Sequence, residues 1–447
     1  MAALDEIRTL VILMLENRSF DHMLGHLSLE DPHLDVEGLR DPAQNPRYAN
    51  VFQNRVYRPF LIEDEARVIR DPPHERDLVE LQMARGRNGK TFRMSGFVES
   101  YFTYTQHRAE QSPPMGYFDS RGAWMTSFLA KEYCVCDHWF TPLPADTQPN
   151  RCMAFTGDTL IDSTQSRLLP YREHVFDWLN ARDVRWRVYH AGPPFFLLFG
   201  RFGELVSGRF RDMNRLEEDL LREPPDEAPQ VLFIEPRYYD IFWSPEPANC
   251  NHPLALVAQG EQLIHRVYTA LTRNPAKWAH TLFLITYDEH GGFFDHVPPL
   301  PIEQPIPPGA EYTRPFRTTG PRVPGLVVSP WVRRGQPFHG PLDHTSLLQL
   351  IAEKFGAGPE DYSASVTHRR AQGIRSVAEA LSDVPLVRPL AVPPRRDGPL
   401  PPTPPRDKPQ NANEGAFQKA ARELLLHEGP IATGYRYPEL VGAPLEP

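Results

Sequence analysis

Cysteine is scarce: the 447 residues carry four, at positions 134, 136, 152 and 250. No two of them form a CxxC pair, which argues against a thiolate zinc site, and nothing in their number demands an oxidising compartment. No hydrophobic run approaches the ~20 residues of a membrane-spanning helix. A secretory leader is also missing: Asp5 and Glu6 stand where basic residues belong, and the apolar run at 10–15 ends in Glu16. The expected location is cytoplasmic on synthesis, with secretion by another route left open. Basic charge is in short supply too. Lys and Arg number 48 against 57 Asp and Glu, a net charge of −9. That argues against a general nucleic-acid surface, because affinity for a phosphate backbone needs a basic field. It leaves room for a phosphate ester or lipid headgroup held by a local metal.

Proline is in excess, at 49 residues, roughly twice its usual ~5% share. The prolines keep no period, which excludes collagen, and they point to stiffened surface loops and one linker. That linker is the stretch 384–410, dense enough in proline to be extended and polyproline-like. The chain therefore divides into a main domain over 1–383, a linker over 384–412 and a C-terminal helical segment over 413–447. The final helix is expected over about 414–428, closed by Gly429-Pro430. Whether it docks on the core or serves a partner is open at this level.

Short apolar runs at 10–15 (LVILML), 186–189 (WRVY), 231–234 (VLFI), 281–286 (TLFLIT) and 326–329 (LVVS) read as strands buried on both faces. Helical periodicity lies between them. Leu263, Ile264, Val267, Tyr268 and Leu271 mark one face of a helix over 256–272. Leu347, Leu348 and Ile351 mark another over 345–355, with Gly356 as its stop. The alternation implies an α/β fold with a doubly wound, mainly parallel sheet flanked by helices. The polar stretches 45–93 and 192–229 read as insertions that shape a pocket. In such sheets ligands bind beyond the carboxyl ends of the strands, and the residues found there are chemically unusual: Glu16 and Asn17, Glu235, then Asp288, Glu289 and His290.

Each of these has a plain structural alternative. Asn17 in ENRSF is also a helix cap, whereas Glu16 and Asn17 together offer oxygen ligands to a hard cation. Asp288 and Glu289, adjacent at a strand end, repel unless a cation or several donors neutralise them. The glycines that follow let backbone pass close to a ligand. Thr147 in LPADTQPNR stands just ahead of a helix expected to begin near Pro149 or Asn150. There the dipole favours both an alkoxide and a bound phosphate, though a simple capping role is equally consistent. His74 in DPPHERD and His252 in CNHPL lie beside prolines in loops, and the sequence contains 17 histidines in all, most of them structural or exposed.

Taken together, ENRSFDHMLG (16–25), CDHWFTPLPADTQPNR (136–151), ITYDEHGGFFDHVPP (285–299), GPRVPGLVVSPW (320–331) and DHTSLL (343–348) resemble the phosphoesterase family of bacterial and plant non-specific phospholipases C and related acid phosphatases. Their order spans about 330 residues. The resemblance implies an alkaline-phosphatase-like fold and one divalent metal ion (Ca, Mg, Zn, Mn or Fe) held at Glu16, Asn17, Thr147, Asp288 and Glu289. It implies Thr147 as the nucleophile, with His74 and His252 contacting the phosphoryl group. Arg151 and His290 belong to the same motifs without an assigned role. The substrate implied is a phospholipid or a small phosphoester, cleaved through a phospho-threonine. The alternatives are a broad-specificity acid phosphatase and a catalytically silent binding protein on the same fold. Tyr101, Phe102, Tyr104, Trp124 and Trp139 could offer aromatic faces to a quaternary ammonium, and the run PPFFLLF at 193–199 could meet a membrane surface transiently, although core packing accounts for both. Oligomeric state is not encoded.

Overall fold

A computed structural model of the chain describes residues 2–63, 65, 71–86, 91–105, 112–241, 243, 244, 246–385, 389–396, 411–441 and 443. Seven strands build its main sheet: β1 (Thr9–Leu15), β2 (Cys134–Val135), β3 (Trp186–His190), β4 (Phe210–Asp212), β5 (Val231–Glu235), β6 (Thr281–Tyr287) and β7 (Gly325–Val328). They lie in the order β2-β7-β6-β1-β5-β3-β4. Every pairing from β6 through β4 is parallel, and β7 runs antiparallel to both β6 and β2. The mainly parallel α/β sheet expected from the alternation is present. The run at 326–329 is the exception in direction. A strand buried on both faces has the same composition in either sense, so its sequence does not encode which way it runs.

β1 sits centrally, with every residue from Leu10 to Leu15 buried. Helices α1 (Arg76–Met83), α2 (Phe97–Thr105), α3 (Thr147–Thr156), α4 (Val257–Thr272) and α5 (Thr345–Phe355) follow or flank the strands. The apolar faces read from periodicity in α4 and α5 are the buried ones. Residues 192–229 supply the edge strand β4 and a turn of 3-10 helix at Phe195–Phe199, so they extend the sheet as well as lining a cavity through Asp212, Met213 and Asn214. Phe195, Phe196, Leu197, Leu198 and Phe199 are all buried, among Phe155, Phe176 and Phe233. The run that looked able to meet a membrane is core.

The C-terminal helix α6 (Ala412–Arg436) breaks at Gly429, where φ is 78° and ψ 159°, at the Gly-Pro step that the sequence marks as its stop. Its apolar face of Ala416, Phe417, Ala420, Ala421 and Leu424 is buried in the main core. Phe417 packs on Tyr238 at 5.4 Å between ring centroids and on Phe195 at 6.5 Å. The helix therefore docks. Most of the proline-rich linker expected over 384–412 lies outside the described residues, and its described part at 389–396 has no helix or strand.

Candidate active site

Strand register creates the site. Leu15 of β1 pairs with Tyr287 of β6, so the chain leaves both strands at one level, with Glu16-Asn17 beside Asp288-Glu289. The two corners are then tied together. The backbone N–H of Asn17 donates to Asp288 Oδ1 at 3.1 Å, and the N–H of Glu289 donates to the same oxygen at 2.7 Å. Asn17 turns the corner in the left-handed region, at φ 58°, a conformation asparagine tolerates better than most residues. Gly291 is needed opposite it. A Cβ there would lie 2.1 Å from the Asn17 carbonyl oxygen, and its own φ is 63°.

Helix α3 starts at Thr147 itself, earlier than the expected Pro149 or Asn150, with Asp146 as N-cap. A proline in the first turn costs no hydrogen bond, since those N–H groups have no partner within the helix. Thr147 is buried at the first position of the helix. Arg151 follows one turn later on the same helical face. Its Nε donates to Asp288 Oδ2 at 2.9 Å, Nη2 to Glu16 Oε1 at 3.4 Å and Nη1 to Tyr238 Oη at 3.0 Å. Tyr238 in turn donates to Glu235 Oε2 at 2.7 Å. Glu235, picked out at a strand end, thus orients Arg151 at one remove. Burial pushes the Asp288 carboxyl up to about 7 against the pull of Arg151, with Glu16 and Glu289 adding to the rise.

The two histidines face the carboxylates. His74 Nδ1 lies 3.1 Å from Glu289 Oε1, and His74 Nε2 lies 3.4 Å from Asn17 Nδ2. His252 Nδ1 is 3.5 Å from Glu16 Oε2 and 3.6 Å from Asp240 Oδ2, with its Nε2 3.6 Å from Asp71 Oδ1. The rings are 6.1 Å apart. Burial alone would lower the His74 pKa, but Glu289, Asp71 and Glu75 outweigh it and raise the group to about 9. Burial opposes His252 likewise, and Asp240, Asp71 and Glu16 carry it well above its ordinary value. The neighbouring carboxylates thus favour the protonated form of both rings.

Asp71 and Asp240 were not among the predicted residues. Asp71 stands three positions before His74 in the same DPPH motif, and Asp240 lies five beyond Glu235 in a strand-end loop. Their positions were the available signal. Other motif residues brace the site. His290 Nε2 contacts Gln82 Oε1 at 2.7 Å while its Nδ1 lies 3.3 Å from Glu289 Oε2. Trp139 Nε1 donates to His344 Nδ1 at 3.1 Å, which leaves His344 Nε2 to donate to the Asp288 carbonyl at 2.6 Å. That explains why CDHW and DHTSLL accompany DEHGG.

Three buried oxygens here, Glu16 Oε2, Asn17 Oδ1 and Glu289 Oε1, accept no well-aligned hydrogen bond, although Glu289 Oε1 and Glu16 Oε2 face His74 and His252 as ion pairs. Buried acceptors left unpaired are costly, and an all-oxygen set is what a hard divalent cation takes as ligands. The residues present therefore fit a metal. Asp288 accepts three hydrogen bonds through its carboxylate, which leaves about one of its four lone-pair sites. Two histidine-containing groups also have ligand atoms close together: Glu16, Asp240 and His252, and Asp71, His74 and His252. In both, the short His-carboxylate approaches are also what charged hydrogen bonds would give. Of the predicted aromatics, Tyr101, Phe102, Trp124 and Trp139 are core. Tyr104 alone is exposed, and the charge of Glu75 beside His74 raises its pKa.

The chain matches the Phosphoesterase family over residues 7–358. It is 32% identical over 379 residues to non-specific phospholipase C3 of Arabidopsis thaliana, covering 78% of this chain and 69% of that one. It is 28% identical over 407 residues to phospholipase C B of Mycobacterium tuberculosis, covering 79% and 74%. It is 27% identical to the hemolytic phospholipase C of Pseudomonas aeruginosa over 80% of this chain and 54% of that one.

Proposed function

The chain belongs to the phosphoesterase family, and from that premise we propose that it is a metal-dependent phospholipase C, hydrolysing glycerophospholipids to diacylglycerol and a phosphorylated headgroup. The observation that carries this reading is Thr147 at a helix N-terminus whose Arg151, one turn on, binds Asp288 and Glu16 at the two strand ends, where three buried oxygens accept no well-aligned hydrogen bond. The relatives named as phospholipases C support the substrate class.

Glu16, Asn17, Thr147, Asp288 and Glu289 would hold the metal. Their oxygen-only donor set suits Ca, Mg or Mn better than a thiolate-seeking ion. A bound divalent cation would neutralise charge on the phosphoryl oxygens and favour ionisation of the Thr147 hydroxyl. Thr147 Oγ1 attacks phosphorus, and the bond from phosphorus to the diacylglycerol oxygen breaks. At the helix N-terminus Gln148 N–H donates to Thr164 Oγ1 and Pro149 has no N–H, so the Thr147 N–H is the one that would face a phosphoryl oxygen. His74 and His252 lie against Glu289 and Glu16 at the same strand ends, and one of them would protonate the departing alkoxide. Water then attacks the phospho-threonine, releasing the phosphorylated headgroup and restoring the hydroxyl. Arg151 holds Asp288 and Glu16 in position throughout.

The test compares hydrolysis of p-nitrophenyl phosphorylcholine with that of p-nitrophenyl phosphate, each with and without chelator. A chelator-sensitive preference for the choline diester is expected. Preference for the monoester would make the protein an acid phosphatase, and silence on both would restore the binding-protein reading.

A further inference from the structure

Beside the site lies a hairpin built of Asn50–Phe52 and Arg55–Tyr57. Its two turn residues, Gln53 and Asn54, both have positive φ (48° and 62°), the backbone of a tight two-residue turn whose twist matches the strands. Val51 pairs with Val56 across the ladder, so both project from one face. That face is bare: Val51 is 58% exposed and Val56 52%. The opposite face is anchored. Phe52 and Tyr57 pack on Phe102 of α2 at 5.3 and 5.5 Å, and Asn50 Oδ1 accepts from the N–H groups of Phe97 and Val98. Near its end the same helix carries Tyr104, 55% exposed and near enough to Glu75, the neighbour of His74, for that charge to raise its pKa. The apolar tips and the rim of the site thus share one rigid support.

Charge around this face runs against the rest of the molecule. Five arginines, Arg85 and Arg93 among them, line the cavity that Val51 borders, against Glu80 and Glu99, in a chain whose net charge is −9. The cavity, of about 860 Å³, also reaches Arg76 and Pro144, close in sequence to His74 and Thr147. Glu80 is engaged by Arg76 and Arg314.

We propose that the Val51/Val56 face, with the basic residues beside it, is where the protein docks on an anionic phospholipid surface. Exposed apolar side chains set among positive charges suit such an interface, where the apolar groups enter the headgroup boundary and each cation gains from the negative surface potential. An acidic protein partner would use the charge but leave the paired valines without an apolar environment. The proposal rests on the phospholipase reading for its purpose, since docking here brings the site to its lipid.

The test is flotation of the full chain with phosphatidylcholine vesicles with or without phosphatidylglycerol, alongside turnover of soluble p-nitrophenyl phosphorylcholine. Wild type is expected to bind the phosphatidylglycerol vesicles, less as salt rises. A Val51→Asp/Val56→Asp variant and an Arg85→Glu/Arg93→Glu variant should each lose about tenfold or more in binding, with soluble-ester turnover unchanged. Undiminished binding by both variants, no preference for the anionic vesicles, or retention on immobilised polyglutamate but not on vesicles would overturn the proposal. Binding is read without turnover. A protein that floats with vesicles yet cleaves neither lipid nor soluble ester would contradict the phospholipase reading and leave the docking surface standing.

Discussion

Thr147→Ala is expected to lower kcat by about a thousandfold or more, with the fold and thermal midpoint nearly unchanged. The contrast follows from what the side chain touches. The side chain sits in the first turn of the helix, where it supports no core cluster. The methyl it leaves is a good helix former there. What is lost is the oxygen that attacks phosphorus and that would also serve the metal. Thr147→Ser keeps that oxygen and should retain a measurable fraction of the rate, which separates a missing nucleophile from a disturbed pocket. Near-normal turnover by the alanine variant would remove Thr147 from the mechanism.

Asp288→Asn should cost both bound metal and rate, by about a hundredfold or more in turnover. Asp288 is the joint of the site: its Oδ1 receives the N–H groups of Asn17 and Glu289, and its Oδ2 receives Arg151 Nε. An amide can keep the first two contacts, but it then turns an NH2 group toward the guanidinium. The substitution also leaves Arg151 with one buried carboxylate fewer beside it, Glu16 remaining. Arg151 would no longer hold the two strand ends at a common spacing, and the oxygen set would lose a charge. Elemental analysis of the purified variant checks this directly. Full metal content in the variant would contradict the role assigned to Asp288.

The legible part of the site was the part written in contiguous residues. A buried apolar strand running straight into Asp288-Glu289, and another into Glu16-Asn17, marks two strand ends. The parallel register then does the rest by placing Leu15 against Tyr287. His74 and His252 gained weight from family resemblance alone, because a loop histidine beside proline has no periodicity to betray its direction. Asp240 was missed for a related reason: it reaches His252 from an irregular loop after β5, and loop geometry is set by tertiary contacts. The direction of β7 was hidden because burial on both faces erases the alternation that distinguishes strand environments. β2 and β4, with two and three residues, are too short to show any period. The run Phe195–Phe199 illustrates a different ambiguity, resolved in favour of the core. Contiguous apolar residues suggest an exposed greasy surface as readily as a core, and only packing against Phe155, Phe176 and Phe233 decides. The valines that do face outward, Val51 and Val56, look in sequence like any short strand.

The central claim is that Thr147 carries the phosphoryl group between its two transfers. The most direct test is to quench the enzyme with acid during turnover of p-nitrophenyl phosphorylcholine and map its peptides by mass spectrometry. The account predicts a phosphocholine adduct on Thr147 that is absent without substrate. Full turnover with no adduct there, or an adduct on another residue, would contradict it.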